Sequence, residues 1–128
     1  MNDSANTILV VEDDSSTRAG LIAFLEAEGF TVLGAANGRQ ALDLLAGVAP
    51  PRLILLDLMM PVMDGWQFLA ERRRELASRS GPPVVLLSGL GFINGAPDVA
   101  DFIRKPIDMD ALLACVRRFC GNPASPAG

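Results

Sequence analysis

The chain has 128 residues, half of them hydrophobic, with fifteen acidic side chains against eleven basic ones, no histidine, two cysteines and a net charge of −4. That length supports one domain burying roughly two-thirds of its unfolded surface, and the absent histidine excludes Ser/His/Asp and Cys/His triads, His-ligated zinc and a histidine phosphocarrier site. Excess negative charge argues against wrapping nucleic acid or lying on anionic lipid, and apolar runs such as 8–11 and 53–56 fall far short of the roughly 20 residues that span a bilayer.

In chain order, residues 1–6 read as an N-terminal arm. The opening MNDSANT lacks the basic and apolar regions of a signal peptide, so a cytoplasmic location with reduced thiols is expected. Residues 7–11 form a β-branched apolar run that stops at Glu12, Asp13, Asp14, Ser15 and Ser16, which predicts a buried strand entering an acidic loop. Ala19, Leu21, Ile22, Ala23 and Leu25 are assigned to one face of a helix over 16–28, with Asp14 or Ser15 as N-cap and Gly29 as the stop. The unit repeats as a strand over 30–36, Asn37 as a cap, and a helix over 39–46 carrying Ala41, Leu42 and Leu45. Residues 53–56 are a third strand ending at Asp57, followed by a Met/Pro/Gly loop and a helix from about 65 to 77. A fourth strand over 84–87 ends at Ser88, Phe102 and Ile103 form a fifth, and Asp108 caps a last helix through Cys120, stopped by Gly121. The tail NPASPAG, 122–128, is expected to be disordered, leaving a domain over 7–121. Cys115 and Cys120 lie about 7.5 Å apart along one helix, a poor geometry for a disulfide, and read as packing residues.

Continuous apolar strands point to a parallel sheet covered on both faces, and their alternation with helices to a doubly wound α/β architecture with five strands. Sites in such sheets lie at the carboxyl ends of the strands. There the chain places Glu12 and Asp13 (strand one), Asp57 (strand three), Ser88 (strand four) and Lys105, the sole lysine beside ten arginines (strand five). Clustered carboxylates repel, which raises their pKa values or recruits a cation; Mg²⁺ suits them, being a hard ion that keeps positions for water and phosphate oxygens. An aspartate can also attack phosphorus to form an aspartyl phosphate, with lysine and cation stabilising the transferred oxygens.

With LVVEDD at the first strand end, LLDLMMPVMDGW around Asp57, VVLLSG at the fourth strand and FIRKP at the fifth, residues 6 to 120 resemble the receiver domains of two-component response regulators. The resemblance implies a flavodoxin-like sheet of order 2-1-3-4-5, and with the single-domain length the expectation is a stand-alone, single-domain receiver. It implies Asp57 as phosphoacceptor and Asp13, Asp57 and the Met59 backbone carbonyl as Mg²⁺ ligands, with Glu12 reaching the ion through water. Ser88 and Lys105 would bind the phosphoryl oxygens, Gly89 would leave access to them, and the Lys105–Pro106 peptide would be cis. Ser88 and Phe102 would form a switch biased by phosphorylation. The implied donor is a sensor histidine kinase or a histidine phosphotransfer protein, and the implied output is binding to a downstream effector, with no nucleic-acid or membrane contact. Such a protein is no enzyme beyond catalysing its own phosphorylation and dephosphorylation.

Other features have plainer readings. Asp14 is a helix cap; Arg72, Arg73, Arg74 and Arg79, interleaved with Glu71 and Glu75, are a solvated helix face; Trp66, Met60 and Met63 are packing residues; Gly89-Leu90-Gly91 lacks the third glycine of a dinucleotide loop. Only sixteen residues separate Ser88 from Lys105, among them Gly89, Gly91, Asn94, Gly95 and Pro97, so the fourth helix is expected to be shortened or absent and this stretch to order on phosphorylation. Met59 and Leu90, apolar beside the phosphoryl group, point to slow self-dephosphorylation. Two competing classes remain: an interaction module that is never phosphorylated, and an aspartate-nucleophile phosphohydrolase, which commonly needs an acid two residues after the nucleophile, where this chain has Met59.

Overall fold

The computed structural model describes residues 7–47, 51–57, 82–88 and 100–121. Within them the chain runs β1 (Thr7–Val11), α1 (Ser15–Ala27), β2 (Thr31–Ala35), α2 (Gly38–Gly47), β3 (Leu53–Asp57), β4 (Val84–Ser88), β5 (Asp101–Arg104) and α3 (Met109–Cys120). The five strands form one sheet of order β2-β1-β3-β4-β5 with every pair parallel. This is the doubly wound, five-stranded arrangement and strand order expected from the sequence. The expectations for a helix over 65–77, for a shortened or absent fourth helix, and for the terminal arm and tail concern stretches outside the described residues.

Side chains alternate across a strand, and the central strands turn that alternation into two separate cores. Leu9, Val11, Ile54, Leu56, Val84 and Leu86 face Ala41 and Leu42 of α2 on one side. Ile8, Val10, Leu53, Leu55, Val85 and Leu87 face Leu21 and Leu25 of α1 and Leu112, Cys115 and Val116 of α3 on the other. Burial on both faces is why these strands are apolar throughout. Leu55, fully buried on the central strand, is expected to cost about 3 kcal/mol when cut to alanine. With a urea slope on the order of 2 kcal/mol per M, the unfolding midpoint then falls by roughly 1.5 M; an unchanged midpoint would contradict this packing.

The helix ends follow their caps. Asp14 caps α1, its Oδ2 accepting from the Thr17 N–H at 2.7 Å and from the Thr17 hydroxyl at 2.6 Å, and these bonds hold its carboxyl below the usual range. Asn37 Oδ1 accepts from the Gln40 N–H at 2.9 Å at the start of α2. Asp108 caps α3 through the Asp110 and Ala111 amides. Gly29 and Gly121 follow α1 and α3 at φ of 98° and 77°, a left-handed region that glycine enters without the Cβ penalty.

One face assignment is corrected. Leu21 and Leu25 are buried, Ile22 and Phe24 partly so, but Ala19 and Ala23 are exposed. Each lies two residues from Leu21, about 200° around the helix at 3.6 residues per turn, so the alanines point away from the sheet. Cys115 is buried, Cys120 half-buried, and both are free thiols; burial pushes the Cys120 thiol up to about 11.

Candidate phosphoryl and metal site

Three strands deliver acidic or basic groups to one end of the sheet. β1 ends at Val11, and the next residue, Glu12, still donates its N–H to the Ala35 carbonyl at 3.0 Å, so the β1–β2 ladder runs one residue past the strand and holds the backbone there. β3 ends on Asp57 itself, opposite Leu87 of β4. β5 ends at Arg104, paired with Ser88, and Lys105 follows it with a cis peptide to Pro106.

These strand ends bring four of the predicted site residues together. Lys105 Nζ lies 3.2 Å from Glu12 Oε1 and 3.3 Å from Asp57 Oδ1, bridging two carboxylates. Glu12 and Asp57 are only 1% and 5% exposed, whereas Asp13 is exposed. One oxygen from each of Glu12, Asp13 and Asp57 lies within 4.8 Å of the others. Ser88 takes its place at the end of β4, but its side chain, like all of Met59 and Gly89, is outside the described residues. Phe102 is half-buried against the core on the α2 side.

Among the described residues, three carboxyl groups meet one ammonium here. Burial pushes the Glu12 carboxyl up to about 7; the Asp57 charge adds to this, while the Asp14 N–H at 3.2 Å and Lys105 pull it back. Burial likewise raises Asp57 above the usual carboxylate value despite Lys105. For Lys105, burial favours the neutral amine, yet Glu12 and Asp57 together outweigh it and hold the ammonium more firmly than usual. Oxygen donors, negative charge and one exposed carboxylate are what a hard divalent cation requires, so the donor set fits such an ion.

Stability should record this crowding. A carboxyl with a raised folded pKa keeps a proton that the unfolded chain releases, so folded stability falls as pH rises through that interval. For Glu12 the window runs from its ordinary 4.5 to about 7, and the raised Asp57 acts in the same direction. The cap at Asp14, with a lowered pKa, contributes in the opposite sense, but below its ordinary value of 3.8 and so outside that window. Without divalent cations the melting temperature is expected to fall from pH 5 to pH 7.5, and to fall less in Glu12→Gln; a wild-type midpoint that rises over this interval would contradict the assignment.

Sequence reasoning found Glu12, Asp13, Asp57 and Lys105 because each stands where an apolar strand stops. It missed Arg18, whose Nη1 donates to the Glu12 carbonyl at 2.8 Å. An arginine one turn into an amphipathic helix looks like ordinary solvated surface, and no local signal marks it.

Comparison with known proteins points the same way. The family model described as the response regulator receiver domain matches residues 8–117. Response regulator Rre1 of Synechocystis sp. is 41% identical over 117 residues, covering 87% of this chain and 50% of its own length. The DNA-binding response regulator MtrA of Mycobacterium tuberculosis is 37% identical over 136 residues, covering 99% of this chain and 56% of its own. The chain thus spans about half the length of these curated relatives. Among solved structures, response regulator protein TrrA of Thermotoga maritima, in complex with Mg(2+)-BeF, superposes with a TM-score of 0.75 at 25% identity, covering 89% of this chain and 98% of that one. Among the described residues, no helix is long and apolar enough to cross a membrane.

Proposed function

Because the chain belongs to the response regulator receiver domain family, we propose that it accepts a phosphoryl group on Asp57 in a Mg²⁺-dependent reaction and thereby switches the binding of a protein partner. The observation that carries this reading is the meeting of Glu12, Asp13, Asp57 and Lys105 at the carboxyl ends of β1, β3 and β5.

An Asp57 oxygen attacks phosphorus as the bond from phosphorus to the donor breaks. If the donor is a phosphohistidine, the nitrogen leaves with the bonding pair, and this chain, lacking histidine, depends on a kinase or phosphotransfer protein to bring it. Lys105, already between Glu12 and Asp57, exchanges part of that pairing for the phosphoryl oxygens, where a fixed cation stabilises developing charge. Mg²⁺ would supply further neutralisation of those oxygens, held by Asp13, Asp57 and the Met59 carbonyl, with Glu12 acting through water. Ser88 and Gly89 complete the cradle in this reading, and Phe102 moves inward behind the engaged Ser88. A protein effector fits the output better than nucleic acid given the net charge of −4.

One experiment separates this reading from its competitors. The protein and its Asp57→Asn variant are incubated with a small acyl phosphate and Mg²⁺, and intact mass is followed. A base-labile phosphoryl adduct on the wild type alone is expected. No adduct on either would favour an interaction module that is never phosphorylated, and continued turnover of unrelated phosphate esters would favour a phosphohydrolase.

A further inference from the structure

Building on that reading of the site, we propose that Arg18 is a positioning residue for cation binding, fixing the peptide from which Asp13 projects. Glu12 is held at four atoms. Its N–H donates to Ala35, its Oε2 accepts from the Asp14 N–H, its Oε1 meets Lys105, and its carbonyl accepts from Arg18 Nη1 at 2.8 Å. The last bond is the one that bears on Asp13. A peptide unit is planar, so anchoring the Glu12 carbonyl sets the orientation of the Glu12–Asp13 peptide and the point from which the exposed Asp13 carboxylate starts.

The arginine reaches this carbonyl from a fixed base. Its own N–H makes the first helical bond of α1, to the Asp14 carbonyl at 2.8 Å, and its stem crosses β2 at Gly34. A Cβ at Gly34 would stand 2.9 Å from Ile22 Cδ1 and 3.6 Å from Arg18 Cδ; Ile22 and Arg18 are neighbours on the helix surface at i, i+4 spacing. The bare glycine thus leaves the space in which these two stems lie. A guanidinium bond to a neutral carbonyl is charge-assisted and directional, which suits it to orientation rather than to charge balance. Groups that orient metal ligands from outside typically change affinity by 10–100-fold when removed.

The test measures Mg²⁺ affinity of the full chain by titration calorimetry, alongside the Mg²⁺ concentration that gives half-maximal phosphorylation by an acyl phosphate. Arg18→Met keeps an apolar stem over Gly34 and removes the donors. It is expected to weaken Mg²⁺ binding by about tenfold and to raise the half-maximal Mg²⁺ concentration equally, with the saturated rate changed by less than twofold. Arg18→Lys, which restores a cationic donor, should recover part of the affinity. If Arg18→Met does not fold, Arg18→Leu, which also keeps an apolar stem and removes the donors, is read in its place. Wild-type affinity within twofold in the variant, while the wild type itself binds Mg²⁺ and is phosphorylated, overturns the role of Arg18 alone. A wild type that takes up neither Mg²⁺ nor phosphoryl overturns the underlying reading, and this proposal with it.

Discussion

Lys105→Ala is expected to slow Mg²⁺-dependent phosphoryl transfer onto Asp57 by about 10²–10³-fold, the usual loss when one preorganised donor is removed from a developing oxyanion. Lys105 is the chain's only lysine, and it sits 3.2 and 3.3 Å from carboxylate oxygens on two different strand ends. Lys105→Arg is the sharper variant. It keeps the charge, but a planar fork replaces a compact ammonium on a flexible stem, and a group 30% exposed has room for the larger head. Arginine should therefore preserve stability while restoring only part of the rate. Initial rates of adduct formation at saturating Mg²⁺ decide the matter; an alanine variant reacting at the wild-type rate would remove Lys105 from the chemistry.

The second expectation has an unusual sign. Asp57→Asn should abolish the adduct and also raise the melting temperature in cation-free buffer above pH 7. Ionised Asp57 is buried, lies near two other acids and has its carboxyl raised by that burial; asparagine removes the charge while keeping the shape. Its loss also lowers Glu12, since Asp57 is one of the causes raising it. One kcal/mol corresponds to roughly 3–6 °C in a domain of this size, and a gain of about that amount is expected. The gain should vanish when Mg²⁺ is added, because the cation stabilises the wild type more than the variant. A variant less stable than the wild type without cation would mean that Lys105 more than compensates the cluster.

Residues 7–11, 53–56 and 84–87 were legible as strands because burial on both faces leaves no polar interruption until the chain nears the end of each strand. The same abruptness made their ends legible as site positions, since a polar residue at such a stop needs another explanation than solvation. What the sequence could not display was contact across long separations. The Glu12–Lys105 pair spans 93 residues, and the raised pKa of the Glu12 carboxyl comes first from burial, which no local pattern encodes. Ala19 and Ala23 were misassigned because alanine is apolar enough to count in a helical pattern yet small enough to sit in water at little cost. Arg18 was invisible for the converse reason, being a charged residue whose head turns inward to a backbone carbonyl.

The most direct test of the central claim is to locate the phosphoryl group after treatment with a small acyl phosphate, by peptide mapping under acid conditions, with Mg²⁺ and with a chelator. The modification should fall on Asp57 and require the cation. Modification of Glu12 or Asp13 instead, or of Asp57 to the same extent in chelator, would contradict the account.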